Sequence, residues 1–211
     1  MPAFFNTSDS GFKEKFVEFL KRNQEHGYKE SVSHTVSKIL SEVRNTGDKA
    51  LLKFTRKFDS MELSARSIKI SEAEIDYQVN KVSKKEHKAL RLAARRIKEF
   101  HKKQKPDDKF WEDKIGIKLG WVWRPIDTVG LYVPGGTASY PSSVLMNAIP
   151  ARVAGVKEIS LVSPTPGGIV NPLVIMAAKL VGINNIYRIG GAQAVAALAY
   201  GTESIASVDK I

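Results

Sequence analysis

The chain has 211 residues, of which 43% are hydrophobic, and no cysteine. That is enough for one large or two small domains around a real core, and it excludes disulfides, thiolate metal sites and extensive disorder. The net charge of +11 sits in the first half, where residues 1–110 hold 25 of the 33 Lys/Arg and 16 of the 22 Asp/Glu. A bias of this kind bears on solubility and non-specific contacts rather than on fold. No apolar run reaches the ~18 residues that span a bilayer. The start, Met1-Pro-Ala-Phe-Phe-Asn-Thr7, lacks a basic segment followed by an apolar one, so it does not read as a signal peptide. A cytoplasmic protein with no membrane partner is the expectation.

The first ~105 residues carry helical periodicity. Phe12, Phe16, Phe19 and Leu20 share one face. Ser31 is placed to cap a second helix with the stripe Val32, Val36, Ile39, Leu40 and Val43, and Gly47 to stop it. Asp48 is placed to cap a third, bearing Ala50, Leu51, Phe54 and Phe58. Ser71-Glu-Ala-Glu74 and Ser83-Lys-Lys-Glu86 both match the capping box, in which a hydroxyl and a carboxylate satisfy orphan backbone donors reciprocally. The second box opens a basic helix with Arg91, Arg95, Lys98 and Lys102 outside and Leu90, Ala93, Ala94, Ile97 and Phe100 inside. A solvated basic face is the plain reading of it, and no nucleic-acid partner is expected. Pro106 ends that helix by residue 105.

Pro106-Asp-Asp-Lys109 reads as a turn, and Ile115 to Trp123 as a strand or hairpin. Trp121 and Trp123 fall on one face of it and are assigned to packing. From Ile126 onward strands and helices alternate. Strands are expected over Thr128–Val133, Glu158–Ser163 and Asn185–Ile189, and helices over Ser142–Ala154, Pro172–Val181 and Ala192–Tyr200. Such alternation implies parallel pairing with right-handed crossovers. The division is therefore a helical region over 1–125, with a short β segment near 115–123, and a β/α domain over 126–211.

Ligands of open parallel sheets sit beyond the carboxyl ends of the strands. Three such ends here carry Pro134-Gly135-Gly136, Pro164 to Gly168 and Gly190-Gly191. Glycine lets backbone amides approach a phosphate, and the next helix aims its positive end at the anion. Neither the Gly-x-Gly-x-x-Gly fingerprint nor a Gly-x-x-x-x-Gly-Lys-[Ser/Thr] loop is present. On pattern alone, nucleotide binding and simple turn-making both stand. Ser142 and Ser143 follow a Pro near a helix start and are assigned to capping.

Longer motifs are more specific. Gly130-Leu-Tyr-Val-Pro-Gly-Gly136, Ala138-Ser-Tyr-Pro-Ser-Ser-Val-Leu-Met146 and Pro150-Ala-Arg-Val-Ala-Gly155 resemble the signature of histidinol dehydrogenases. So do Ile189-Gly-Gly-Ala-Gln-Ala-Val-Ala-Ala-Leu-Ala-Tyr-Gly-Thr202 and Val208-Asp-Lys-Ile211. Val43-Arg-Asn-Thr-Gly-Asp48 and Phe54-Thr-Arg-Lys-Phe-Asp59 are similar to that family's N-terminal helices. The likeness implies an α/β protein in which the helical region precedes an incomplete Rossmann-like parallel domain. It implies NAD-dependent oxidation of L-histidinol to L-histidine through the aldehyde, in histidine biosynthesis, by a zinc-requiring homodimer.

By the same resemblance Tyr132 and Gln193 contact NAD. A phenol at a strand end can pack on the cofactor and offer its hydroxyl, and an amide can donate and accept. The family's zinc ligands, its Glu-His acid–base pair and a Gly-Pro-Gly-Asn loop follow the Val-Asp-Lys-Ile element. They are therefore expected beyond Ile211, with no catalytic or metal residue before it. His26, His34, His87 and His101 match no zinc position and are read as helical surface or core residues. The isolated chain is expected to be inactive. The rival readings are a relative acting on another small alcohol and a non-catalytic nucleotide- or nucleic-acid-binding remnant.

Overall fold

A computed structural model describes residues 4–25, 30–135 and 140–211, the side chains of 22–31 excepted. Six helices come first: α1 (Phe12–Glu25), α2 (Glu30–Thr46), α3 (Asp48–Asp59), α4 (Ala65–Ile68), α5 (Glu72–Asn80) and α6 (Lys84–Lys102). A hairpin follows, β1 (Lys109–Glu112) with β2 (Lys118–Trp121). Then come β3 (Thr128–Tyr132), α7 (Pro141–Ala154), β4 (Glu158–Val162), α8 (Pro172–Leu180), β5 (Asn185–Tyr187) and α9 (Gly191–Tyr200). The expected helical region and the alternating β/α pattern are both present.

Strands β3, β4 and β5 pair in parallel in that order, with Gly130 opposite Ser160 and Leu161 opposite Ile186. Both edges are extended. Ile70 N–H donates to Ile186 O at 2.8 Å and Arg188 N–H to Ile68 O at 2.9 Å, in antiparallel sense. On the other side Gly130 N–H donates to Lys210 O at 2.8 Å, which sets residues 208–210 parallel to β3. The chain thus runs outward from β3 to β4 and β5, then returns to the free side of β3. That reversal is the topological switch point of an incomplete Rossmann-like sheet.

Strand side chains alternate with the period of two that sheets impose. Val129, Leu131, Ile159, Leu161 and Ile186 face a core shared with α7 and α8. Val162 and Tyr187 face a second core with α9, α2 and α3. Both faces of the sheet are therefore covered, as its Val/Ile/Leu content requires. The N-terminal helices are the outer layer: α2 and α3 lie on α9, α5 on α8, and α6 on α7 and α8. The basic helix α6 packs Leu90, Ala93, Ala94 and Ile97 inward, whereas Phe100, expected with them, lies one turn past the covered stretch and stays exposed.

Several local expectations are corrected. Helix α2 begins at Glu30, so Ser31 lies within it rather than ahead of it. Asp48 is the first residue of α3 and does not cap it. Its N–H donates to the Glu203 carboxylate at 2.7 Å, while its own buried carboxylate accepts from the Ser204 hydroxyl. The box at Ser83 is complete, with both reciprocal bonds made. The box at Ser71 is half made: its hydroxyl accepts from Glu74 N–H, but the Glu74 carboxylate pairs with Arg188 instead. A partly buried guanidinium outcompetes an exposed backbone N–H for the carboxylate.

No side-chain cap bond is made at α7, so Ser142 and Ser143 do not cap it. Lys109 belongs to a strand, because the hairpin starts before the segment that the sequence marks. Trp121 packs edge-on against Trp111 across the hairpin at 5.2 Å, and Trp121 and Trp123 both stay about half exposed.

Candidate functional site

The carboxyl ends of the three strands meet at Pro164. A Cβ on Gly135 would stand 2.1 Å from Pro164 O, and one on Gly190 would stand 2.5 Å from Pro164 Cβ. The loops after β3, β4 and β5 therefore close on one another at a distance only glycine allows. On the α8 side this end opens into a cavity of about 360 Å³ lined by Ile70, Gly135, Ser163, Thr165 and Asn171. Asn171 caps α8, its Oδ1 accepting from Leu173 and Val174 N–H.

Tyr132 ends β3 beside the switch point and leaves its ring partly exposed. Its hydroxyl accepts the Gly191 N–H at 3.2 Å. Gly191 opens α9 with φ +66°, a left-handed conformation that favours glycine. The Gln193 side chain folds back over the same residue, its Oε1 only 2.6 Å from where a Gly191 Cβ would be. Gln193 is 1% exposed, and neither its Oε1 nor its Nε2 has a hydrogen-bond partner among the described residues. Tyr132 and Gln193, far apart in sequence, are thus brought to one glycine at the positive end of a helix. The last glycine of the first motif, Gly136, with Ala138 and Ser139 of the next, lies outside the described residues.

The sequence reading missed what the N-terminal helices bring to this end. The Thr165 hydroxyl, beside Pro164, contacts Met61 Sδ at 3.3 Å, so the chain just after α3 reaches the strand ends. Thr55 is fully buried on α3 with no partner for its hydroxyl among the described residues. Asp59, the last residue of α3, has one buried carboxylate oxygen without a partner among the described residues. Burial pushes the Asp59 carboxyl above the usual carboxylate range. The available signal was a Thr on a stripe of α3 that is otherwise apolar.

His34 lies on α2 and His87 and His101 on α6, while His26 is outside the described residues. His101 pairs through Nδ1 with Gln104 at 2.6 Å. Among the described residues no three His, Cys, Asp or Glu side chains gather in a way that could hold a metal.

The histidinol dehydrogenase family model matches residues 21–211. The chain is 52% identical over 211 residues to the histidinol dehydrogenase of Cereibacter sphaeroides, covering 100% of this chain and 48% of that protein. It is 51% identical over 211 residues to that of Agrobacterium fabrum, again covering 100% and 48%. Its structure resembles the crystal structure of histidinol dehydrogenase from Elizabethkingia anophelis, with a TM-score of 0.83 and 39% identity, over 87% of this chain and 42% of that one. The chain spans about half the length of the curated relatives it matches. The family match over almost all of its residues, and the shared fold, decide the matter: the chain belongs to the histidinol dehydrogenase family.

Proposed function

We propose that this chain supplies the NAD-handling part of a histidinol dehydrogenase, which oxidises L-histidinol to L-histidine through the aldehyde in histidine biosynthesis. The observation that carries the reading is the convergence of Tyr132 and Gln193 on Gly191 at the switch point. NAD, when bound, supplies the hydride acceptor for each of two oxidations. The residues present fit such a ligand. The unpartnered Gln193 amide offers both a donor and an acceptor. The Tyr132 ring gives an exposed apolar face beside a helix N-terminus suited to an anion.

These residues bind and orient, and the described histidines and carboxylates include no acid–base pair set at this end. We assign proton transfer, and the zinc that holds the alcohol, to residues of the whole protein other than those described. The whole protein is proposed to be a cytoplasmic homodimer with no nucleic-acid or membrane partner. Helix α6 supports this reading of the charge, since its apolar side is spent on α7 and α8 and its basic side is a solvated face.

NADH fluorescence titration of the chain tests the binding claim. Saturable binding is expected, weakened about tenfold in Gln193→Ala and about fivefold in Tyr132→Phe, the scale of one or two lost hydrogen bonds. Lack of saturation in the unaltered chain would overturn it. With histidinol, NAD and added zinc, the chain alone is expected to form no NADH. Clear turnover would overturn the assignment of the chemistry elsewhere.

A further inference from the structure

We infer that the cavity between α6 and the ends of α7 and α8 is a second ligand site, for a small phosphate-bearing anion with an apolar body, of the class of a nucleoside di- or triphosphate. The inference stands apart from the cofactor reading.

The cavity measures about 710 Å³ and is lined by five cations, Arg95, Lys98, Lys102, Lys105 and Arg152, and by no carboxylate. That volume suits a small molecule. It lies at the far end of the sheet from Tyr132 and Gln193. Arg152 is held by the carbonyls of Val156, Lys157, Val181 and Gly182, in the loops that lead into the amino ends of β4 and β5. The candidate cofactor site is at the carboxyl ends of the same strands, and the length of β4 separates the two by about 15 Å. The cavity at the strand ends and this one have no lining residue in common.

Arg152 is the fixed point. Its Nε donates to Val181 O at 3.2 Å, its Nη1 to Val156 O at 3.1 Å and Lys157 O at 2.6 Å, and its Nη2 to Gly182 O at 2.8 Å. A guanidinium has five donors, so one N–H is unspent. The four partners are dipoles, and among the described residues Arg152 has no ion pair. A partly buried positive charge without a counter-ion is costly, and a bound anion would supply one.

The other cations are as poorly compensated. Arg95, Lys98 and Lys102 recur at i, i+3 and i+7 on α6, which sets them on one helix face. Lys98 and Lys102, one turn apart, repel each other. Glu99 stands four residues after Arg95, the spacing of a helical ion pair, yet none of Arg95, Lys98, Lys102 and Lys105 forms an ion pair among the described residues. The adjoining cavity, which shares Lys105, is different: there Arg124 is spent on Asp108 and His101 on Gln104. Between the five cations lie Ile149, Val153 and Leu180. Several unspent cations over an apolar floor match an anion of several charges with an apolar or planar body. Phosphate groups fit the guanidinium fork and the ammonium points together.

The test titrates the 211-residue chain with ATP, tripolyphosphate and citrate by calorimetry. Saturable binding of both phosphates is expected, ATP the tighter because its nucleoside can cover the apolar floor. Lys98→Ala with Lys102→Ala should weaken ATP about tenfold, the scale of two lost charge contacts. Lys84→Ala with Lys88→Ala removes the same charge from the same helix outside the cavity, and should change affinity less than about twofold. All four lysines are exposed, so neither pair disturbs the core, and Arg152 is left intact because the loops into β4 and β5 rest on it. Equal losses from the two pairs, or no saturable binding of either phosphate, would overturn the site. Citrate held as tightly as ATP would overturn the phosphate class. A DNA duplex that displaces ATP, with a steep dependence on salt, would overturn the small ligand in favour of nucleic acid. Gln193→Ala should leave ATP binding unchanged, and a loss there would put ATP at the strand ends and refute the second site alone.

Discussion

The sheet and the hairpin are both rich in large apolar residues, and they differ in what lies over them. Leu161, at the centre of the sheet, is fully buried, whereas Ile115 in the hairpin is 82% exposed. Strands β3 to β5 are covered by α7 and α8 on one face and by α9 on the other. Strands β1 and β2 have no second layer among the described residues, and every residue of both is exposed. The hairpin relies on its cross-strand pair, Trp111 against Trp121. Burial follows from layering and not from composition: a two-stranded ribbon without a cover is marginal however aromatic it is.

The difference predicts unequal costs. Leu161→Ala should lose about 3 kcal/mol of stability, the usual scale for emptying a core site. Trp121→Ala should lose about 1 kcal/mol, the worth of one aromatic pair. Urea midpoints of the two variants make the measurement, and equal shifts would erase the distinction. Between these lies Gly190→Ala. A Cβ there meets Pro164 at 2.5 Å with little room to yield, so a cost of about 2 kcal/mol is expected, read in the same way.

How far this was legible in the sequence depends on range. The strands of the β/α unit read correctly because a fully covered parallel strand is a plain apolar run between turn residues, as Thr128 to Val133 and Glu158 to Ser163 are. The box at Ser83 was legible because both partners lie within one turn. The failures involve distant partners. Asp48 reads as a cap, but Glu203, 155 residues later, takes that role, and Glu74 leaves its box for Arg188. At the site, Tyr132 and Gln193 were named through resemblance, while Gly191 as their meeting point was not readable. Nor was the contact of Thr165 with Met61, whose partners lie 104 residues apart.

The Glu203 cap sharpens the point about range. Removing it in Glu203→Ala should cost about 1 kcal/mol, as for a local cap, although its partner is remote in sequence. A loss confined to hydrogen exchange in the first turn of α3 is the expected signature. A global loss as large as that of Leu161→Ala would instead make the cap part of the core.

The smallest effect is expected at the edge of the sheet. Asp209 accepts from Thr128 N–H and from the Thr128 hydroxyl, each at 2.9 Å, and thereby holds residues 208–210 on β3. The backbone bond from Thr128, then its hydroxyl, keep this carboxyl below the usual carboxylate range. An unfolded aspartate titrates near ~3.9. With the folded value lower still, the stabilisation is present above about pH 4 and fades as pH falls through the folded value. Its site is exposed, so the consequence is local. Protection of the Gly130 amide, bonded to Lys210 O, should fall in acid and at neutral pH in Asp209→Asn. The Val133 amide, bonded to Val162 O inside the sheet, should keep its protection under both conditions. If the two amides open together, the returning segment is as much core as β4, and the distinction between covered and uncovered strands must be drawn further out.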